Sequence, residues 1–253
     1  MATVVAIANQ KGGVGKTTST HTLGEAMAAS GARVLLVDLD PQACLTYAAG
    51  LDPESLVASI HDALVGRTPA AELVVRAGQC AILPASIDLA GSEVVLATRV
   101  GREHALSRVI AQVRDDYDIV LIDCPPSLGI LTINGLTAAD ALVIPLQCET
   151  LSHRGVGQLL ETVADVRAYT KPDLIVLGAI ATMFDGRSRH PREIAADVEE
   201  RYGIRVMEPA VPRSIRFAEA PASGHTILEH APNSRGALAY RELAAHILEA
   251  LAT

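Results

Sequence analysis

The sequence predicts an α/β fold in which a single doubly wound, mainly parallel sheet is flanked by helices. Short apolar runs rich in β-branched residues alternate along the chain with longer helix-forming stretches. The composition is 49% hydrophobic but only 3% aromatic, so Ala, Val, Leu and Ile must fill the core, as is usual for covered parallel sheets. Polar residues follow the predicted strand ends, where open α/β sheets bind their ligands.

The predicted strands follow one another along the chain with helical stretches between them. The first, TVVAIANQ, ends in a glycine-rich turn that leads into the helix-forming segment KTTSTHTLGEAMAAS. The later strands are ARVLLVDLD, YDIVLIDCPPS, DALVIPLQ and LIVLGAIAT, and residues 154–168 and 191–202 are two of the helical stretches. No repeat, low-complexity tract or linker interrupts this order, so we expect residues 1–253 to form a single domain.

Charge and composition restrict the classes of function. The formal net charge of −8 excludes a generally basic surface for nucleic acid. Residues 1–150 carry 9 basic and 16 acidic side chains, whereas residues 151–253 carry 12 and 13, so any contact with DNA must use a local arginine patch in the second half. Without a membrane-spanning run or a secretory leader, the chain is expected to be cytoplasmic, with its four scattered cysteines reduced.

The segment KGGVGKTT predicts a phosphate-binding loop. Its glycines let consecutive backbone N–H groups point at phosphate oxygens, Lys16 supplies a cation for the β- and γ-phosphates, and the Thr17 hydroxyl is placed to ligate Mg²⁺. Gln10 stands where the strict pattern G-x-x-x-x-G-K-[ST] has Gly, but the strand before the loop and the helix after it support the prediction. The predicted nucleotide contacts are Lys11, Gly12, Gly13, Val14, Gly15, Lys16, Thr17 and Thr18.

Carboxylates follow two of the predicted strands. Asp123 ends the strand IVLID and fits a Walker B carboxylate that holds the water shell of magnesium. Asp38 and Asp40, in VDLDPQ, are compatible with the same site or with a solvated turn, because Asp-Pro is an ordinary turn signal. Three carboxylates around one magnesium–phosphate cluster would repel one another unless the metal and a lysine balanced their charge.

A second lysine opens the phosphate loop. Only Lys11, Lys16 and Lys171 are lysines among 21 basic residues, and two of these three lie in one loop. A phosphate loop needs one lysine, which Lys16 provides. Lys11 therefore calls for a role of its own, although a solvated loop charge remains an alternative on these residues alone.

Several motifs in unbroken order then identify a family. KGGVGKTT, VLLVDLDPQ, DIVLIDCPPSLG, TMFDGRS and VPRSIRFAEAPASG followed by RGALAYRELA together resemble the ParA/Soj partition ATPases, which have a deviant Walker A motif. The resemblance runs from about residue 3 to the C-terminus. It implies a P-loop NTPase fold, ATP and Mg²⁺ as cofactors, and slow ATP hydrolysis without a partner. The chain begins at its first strand, so we expect no N-terminal helix-turn-helix domain like that of larger plasmid-type relatives.

The resemblance also implies roles for single residues. In this family the lysine at the position of Lys11 reaches across a face-to-face dimer to the phosphates of the other subunit. Asp40 is similar to the residue that orients the attacking water, with Asp38 supporting the metal site. Pro212 matches a position beside the adenine, and Ser214 stands where the family often has Asn.

DNA contacts are implied in the same way. Arg187 and Arg216 match two arginines that bind DNA non-specifically in the family, and Arg189, Arg192 and Arg213 lie near them in sequence. On these residues alone, each arginine could instead pair with a nearby acid. The implied protein is a switch in which ATP builds a homodimer, the dimer binds DNA on the nucleoid, and a ParB-like protein stimulates hydrolysis during chromosome or plasmid partitioning.

Three other functions are compatible with parts of the sequence. A MinD-like membrane-cycling ATPase would use a basic amphipathic helix at its end, but RGALAYRELAAHILEALAT carries only Arg235 and Arg241 and predicts a helix packed on the domain. A reductase related to nitrogenase iron protein would share an iron–sulfur cluster through Cys124 and Cys148. An amide-forming metabolic ATPase would need a substrate pocket and would leave Lys11 unexplained.

Overall fold

One mixed sheet forms the centre of the computed structural model, which describes residues 1–149, 152–187 and 189–252. Within those residues the sheet has eight strands in the order β3-β4-β2-β5-β1-β6-β7-β8, and every neighbouring pair is parallel except β3 and β4. The strands are β1 (Thr3–Ile7), β2 (Val34–Asp38), β3 (Val75–Ala77), β4 (Cys80–Leu83), β5 (Ile119–Asp123), β6 (Ala141–Gln147), β7 (Ile175–Thr182) and β8 (Val206–Met207). The predicted doubly wound, mainly parallel sheet is confirmed.

Helices cover both faces of this sheet. Those in the described residues are α1 (Lys16–Ala29), α2 (Cys44–Ala48), α3 (Ile60–Leu64), α4 (Ala70–Leu73), α5 (Leu89–Ala97), α6 (Ala105–Ala111), α7 (Ile130–Ala138), α8 (Ser152–Tyr169), α9 (His190–Tyr202), α10 (Arg216–Glu219), α11 (Ile227–His230) and α12 (Arg235–Leu251). Three short 3-10 helices span Arg102–His104, Arg114–Asp116 and Ala220–Ser223. The predicted helical stretches 154–168 and 191–202 correspond to α8 and α9.

The sheet separates two apolar layers, and β1 contributes to both. Val4 and Ala6 pack in one layer, Val5 and Ile7 pack in the other, and all four side chains are fully buried. A strand that is buried on both faces has no polar side to alternate with, which explains its unbroken apolar run. Complete burial of a Val or Ile side chain contributes about 1.5–3 kcal/mol relative to exposure.

The chain reverses direction across the sheet at β1. This strand lies between β5 and β6, and the chain passes from β1 to β2 on one side and from β5 to β6 on the other. In the ladder, Ile7 is opposite Asp123, and Asp123 is opposite Asp38. The carboxyl ends of β1, β2 and β5 therefore meet at one edge, where such a sheet leaves a crevice for ligands.

The final helix, α12, packs against α1 as its apolar spacing predicts. It buries Tyr240, Leu243 and Ile247, and the Tyr240 hydroxyl lies 2.8 Å from the Ser19 hydroxyl of α1. The apolar face of α12 is thus occupied within the fold. Within the described part of the chain, no helix combines the length and apolarity that crossing a membrane requires.

Candidate nucleotide site

The loop between β1 and α1 has the backbone that its glycines permit. Gly13 (φ 72°) and Gly15 (φ 86°) have left-handed backbone conformations, which residues with a Cβ rarely adopt. Helix α1 begins immediately afterwards at Lys16. The Thr182 hydroxyl at the end of β7 donates to the Val14 carbonyl at 2.8 Å. The loop is therefore held between two strand ends, with the N-terminus of a 14-residue helix behind it.

Lys16 lies inside this loop. Its side chain is buried, and its ammonium donates to the Lys11 carbonyl at 3.1 Å. Burial lowers the pKa of Lys16, and the carboxylates of Asp123 and Asp40 oppose that shift. A lysine that is desolvated and directed back into a loop of N–H groups is well placed to bind an anion.

Thr17 and Asp123 bring two oxygen ligands together. The Thr17 hydroxyl donates to Asp123 Oδ2 at 2.7 Å, and the Thr20 hydroxyl lies 3.4 Å from the other carboxylate oxygen. Burial, followed by the charge of Asp38, raises the pKa of Asp123 well above its usual value. A bound divalent cation would favour the ionised form of Asp123, so this carboxyl and the Thr17 hydroxyl are two oxygen atoms that could hold a hard cation such as Mg²⁺.

Asp38 is fixed by hydrogen bonds at the end of β2. Its Oδ2 accepts from the Thr46 backbone N–H at 2.8 Å and from the Thr46 hydroxyl at 2.7 Å, and its Oδ1 accepts from the Asp40 N–H at 3.2 Å. Burial raises the pKa of Asp38 to about 6, while the bonds from Thr46 oppose the shift. Asp38 thus holds the turn that carries Asp40, and its predicted support of a metal remains a prediction.

Asp40 lies on the wall of a cavity of about 960 Å³ that begins at the phosphate loop and is also lined by Lys16 and Thr17. Its Oδ1 accepts from the Gln42 N–H at 2.9 Å and its carbonyl accepts from the Ala43 N–H at 2.8 Å. Ala43 takes a left-handed conformation (φ 51°) to close this turn. The local turn therefore orients the Asp40 carboxylate at the edge of the cavity.

Lys11 projects from the mouth of the loop towards the end of β6. Its ammonium lies 2.8 Å from Glu149 Oε2 and 3.3 Å from Gln147 Oε1, and its side chain is one-third exposed. Its backbone N–H donates to Asn9 Oδ1 at 3.0 Å. The two lysines of the loop therefore lie in different environments, with Lys16 buried and Lys11 at the surface.

A second, smaller cavity of about 260 Å³ adjoins the other end of the loop. Thr18, Pro212 and Ser214 line it together with Phe217. The bridge between Phe184 and Pro212 places the segment after β7 alongside residues 211–216. Pro212 and Ser214 are thereby brought next to the loop, and their contact with the base of a nucleotide remains a prediction.

The arginines predicted to bind DNA are exposed and lie outside both cavities, Arg187 in a turn after β7 and Arg216 at the start of α10. Arg187 follows Phe184 and Arg216 follows Pro212, so the Phe184–Pro212 bridge joins the two segments that carry them. Among the described residues, no carboxylate is within ion-pair distance of the Arg187 or Arg216 guanidinium. Arg189, in contrast, pairs with Glu193 at 2.7 Å.

Several residues that hold the site were missed in the sequence. Thr46 fixes Asp38, Thr182 fixes Val14, and Asn9 joins the loop to the Pro145 carbonyl at 2.7 Å. These contacts link distant segments and leave no spacing pattern. Glu149 alone carried a signal, because it is a polar residue shortly after a predicted strand.

All four cysteines are free thiols. Burial raises the pKa of each, and Cys80, Cys124 and Cys148 are buried. A thiol must ionise to ligate a metal or attack a substrate, so these environments disfavour both an iron–sulfur cluster and a nucleophilic role.

The comparisons with known proteins agree with this geometry. The family model described as "AAA domain" matches residues 2–176. The chain is 40% identical over 249 residues to the sporulation initiation inhibitor protein Soj of Bacillus subtilis, and this match covers 98% of both chains. It is 44% identical over 245 residues to the chromosome-partitioning ATPase Soj of Thermus thermophilus, which covers 96% of this chain and 94% of that one.

Solved structures are similar over the whole fold. One described as cobyrinic acid a,c-diamide synthase from Mycobacterium smegmatis with bound ADP and magnesium is 48% identical, has a TM-score of 0.90 and covers 100% of this chain and 96% of its own. The septum site-determining protein MinD of Pyrococcus horikoshii with Mg-ADP is 25% identical, with a TM-score of 0.79, and the match covers 98% of this chain and 96% of that one. On the full-length identity to the Soj proteins, the chain belongs to the ParA/Soj family of partition ATPases.

Proposed function

We propose that this ATPase is a dimerising switch that partitions a chromosome or a plasmid. ATP builds a homodimer, the dimer binds DNA without sequence preference, and a ParB-like protein stimulates hydrolysis and thereby releases the DNA. The observation that carries the proposal is the second lysine, Lys11, which lies at the mouth of a phosphate loop whose own cation, Lys16, is already buried inside it. Residues 1–253 act as one domain in this proposal.

ATP and Mg²⁺ are the cofactors in this proposal. Backbone N–H groups of residues 11–18 and the Lys16 ammonium bind the phosphates, and the 260 Å³ cavity beside Pro212 and Ser214 receives the adenine. Thr17 and Asp123 hold the metal, with Asp38 behind them. Mg²⁺ commonly takes one or two protein groups together with phosphates and water, which is the number that Thr17 and Asp123 would provide. Bound Mg²⁺ neutralises the charge that develops on the phosphates.

Hydrolysis in this proposal depends on Asp40. Its contribution in this proposal is to orient the attacking water. The turn closed by Ala43 holds the carboxylate at the cavity edge for that purpose. Positioning without a strong base is consistent with a reaction that is slow until a partner completes the site.

Binding to DNA uses the exposed arginines. Arg187 and Arg216 are not paired with any carboxylate of the described residues, which leaves their charges available for phosphates. A monomer with two such contacts has little affinity, whereas a dimer presents twice as many on one body. The ATP-bound dimer would therefore associate with the nucleoid in the cytoplasm.

A membrane-cycling function on the MinD plan has less support. The helix such a protein would insert into lipid corresponds to α12, whose apolar face is buried against α1. Only Arg235 and Arg241 provide positive charge on that helix. Pelleting with anionic vesicles tests this alternative directly, and ATP-dependent pelleting would favour it over the DNA switch.

An amide-forming synthase is the second candidate, because the 48%-identical structure from Mycobacterium smegmatis is described as one. A synthase that takes ammonia from glutamine commonly needs an activated thiol, and the pKa of every cysteine here is raised. Such a reaction also gives Lys11 no role. Incubation with ATP and cobyrinic acid, with glutamine or with ammonium, separates the candidates, since amide formation would overturn the partition proposal.

The Lys11→Ala variant tests the dimer. It should bind ATP as the parent does, because Lys16 keeps its place, but it should remain a monomer with a non-hydrolysable ATP analogue. Gel filtration with light scattering, together with a fluorescent-nucleotide titration, measures both properties. Lys171→Ala is the matched control. Lys171 lies outside the phosphate loop and pairs with Asp140 at 3.0 Å, so this variant should dimerise as the parent does. A Lys11→Ala protein that still dimerises with the analogue contradicts the proposal.

A further inference from the structure

Lys11 is held within its own subunit by the end of β6. Its ammonium donates to Glu149 Oε2 at 2.8 Å and to Gln147 Oε1 at 3.3 Å, while Gln147 Nε2 donates to Glu149 Oε1 at 2.6 Å. The carboxylate is therefore oriented by the amide and directed at the lysine. Asn9 links the Lys11 backbone to β6, because its side chain accepts from the Lys11 N–H and donates to the Pro145 carbonyl.

The two lysines of the loop are also connected to each other. Lys16 donates to the Lys11 carbonyl at 3.1 Å, so the buried ammonium is bonded to the Lys11 backbone. A β- or γ-phosphate would attract the Lys16 ammonium and weaken that bond. Nucleotide binding would then loosen one of the contacts that fix Lys11, while the Glu149 contact would remain.

We propose that Glu149, oriented by Gln147, is a positioning residue that restrains dimerisation by holding Lys11 in cis. This inference rests on the proposed role of Lys11 in trans. In this proposal the Lys11 ammonium leaves its 2.8 Å contact with Glu149 when it turns to a phosphate bound by a second subunit. Formation of a symmetric dimer therefore breaks two of these ion pairs, and the negative charge of two triphosphates must outweigh them.

The size of the restraint follows from its exposure. The Lys11 side chain is 33% exposed and that of Glu149 is 51% exposed, so the pair is a surface ion pair. Such a pair changes an equilibrium by a factor of about 1.5–5. Two pairs per dimer give about a 2- to 25-fold effect on the dimer dissociation constant, and added salt should reduce it.

The first measurement reads the contact without any dimer. The chain has only three lysines, so amine labelling of the nucleotide-free protein followed by peptide mass spectrometry resolves each of them. Glu149→Gln should raise the labelling rate of Lys11 about 2- to 5-fold relative to Lys171, which keeps its pair with Asp140. Glu149→Asp, which keeps the charge, should change that rate less. An unchanged Lys11 rate in Glu149→Gln overturns the proposal.

The second measurement reads the restraint. With a non-hydrolysable ATP analogue, Glu149→Gln should lower the dimer dissociation constant about 2- to 25-fold in sedimentation experiments. Glu54→Gln is the matched control: Glu54 is also an exposed acid, it lines the 960 Å³ cavity rather than contacting Lys11, and its loss should leave the constant unchanged. Equal gains in both variants, or none in Glu149→Gln, overturn the restraint alone. A parent that never dimerises with the analogue overturns the proposed function and the restraint together.

Discussion

The buried centre of the nucleotide site and the exposed segments that carry Arg187 and Arg216 are built in opposite ways. Lys16, Thr17 and Asp123 are positioned by strand register, a helix start and hydrogen bonds of 2.7–3.1 Å. Arg187 and Arg216 follow a single bridge between two segments, and their side chains extend into solvent. A single substitution at the buried centre should therefore have a large effect on ATP hydrolysis. The affinity of the exposed arginines for DNA depends instead on the number of phosphate contacts.

The largest effect is expected at Asp40. Asp40→Ala should lower the rate of ATP hydrolysis by about 10²- to 10⁴-fold, because the water loses its orienting carboxylate while the phosphate contacts remain. The variant should accumulate as an ATP-bound dimer. Phosphate release and gel filtration on the same samples measure both properties.

Asp52→Ala is a suitable control for Asp40→Ala, since Asp52 is an exposed carboxylate on the same cavity. It should hydrolyse ATP at the parent rate. If Asp40→Ala also keeps the parent rate, Asp40 has been given the wrong role and Asp38 becomes the candidate.

The same contrast explains what the sequence could reveal. The central strands and the phosphate loop were predictable because continuous apolar runs and fixed glycine spacing are local properties. The strands β3, β4 and β8, of three, four and two residues, are too short to show a period and were missed. Thr46 was missed because its bond to Asp38 exists only after β2 and α2 have packed together.

Asp38 shows how far a pattern reaches into the site. Its place at the end of the second strand was predictable, and so was its proximity to Asp123, since parallel strands end at one edge. The pattern gave no indication that its oxygens accept from Thr46 and from the Asp40 N–H. Hydrogen-bond partners depend on tertiary packing. The position of Asp38 could therefore be predicted from the sequence, whereas its contacts could not.

A second prediction concerns the stability of the buried region. His21 of α1 is 6% exposed, and burial lowers its pKa to about 4 despite the opposing charge of Glu229. The unfolded chain, with an ordinary histidine pKa near 6.5, takes up the proton first, so stability is retained above that pH and lost as the pH falls towards 4. This group accounts for about 3 kcal/mol of the free energy of unfolding over that range.

His21→Gln should flatten the fall of unfolding free energy between about pH 6.5 and 4. Urea unfolding of the parent and the variant at several pH values gives the slope of unfolding free energy against pH for each protein. The difference between the two slopes cancels the contributions of other groups. His104→Gln, at an exposed histidine, should keep the parent slope. Parallel curves for the parent and His21→Gln would show that His21 does not carry this dependence.

The smallest effect per residue is expected at Arg187 and Arg216. Arg216→Ala should weaken binding of the ATP-bound dimer to all DNA sequences alike, because it removes two phosphate contacts per dimer. The slope of log affinity against log salt should fall by about 2, so the loss of affinity between 50 and 200 mM salt becomes about tenfold smaller. Arg187→Ala should act in the same direction but less strongly. Mobility shifts on two unrelated duplexes at several salt concentrations measure these changes.

Arg33→Ala separates this local effect from the change in net charge. Arg33 also carries one positive charge, but it pairs with Asp118 at 2.7 Å before β2, at the opposite edge of the sheet from the strand ends that lead to Arg187. Its loss should leave both the affinity and the salt slope unchanged. Dimerisation should survive in all three variants, since none of these arginines lies in the phosphate loop. If Arg216→Ala loses the dimer together with the DNA, or binds DNA as the parent does, Arg216 does not anchor DNA.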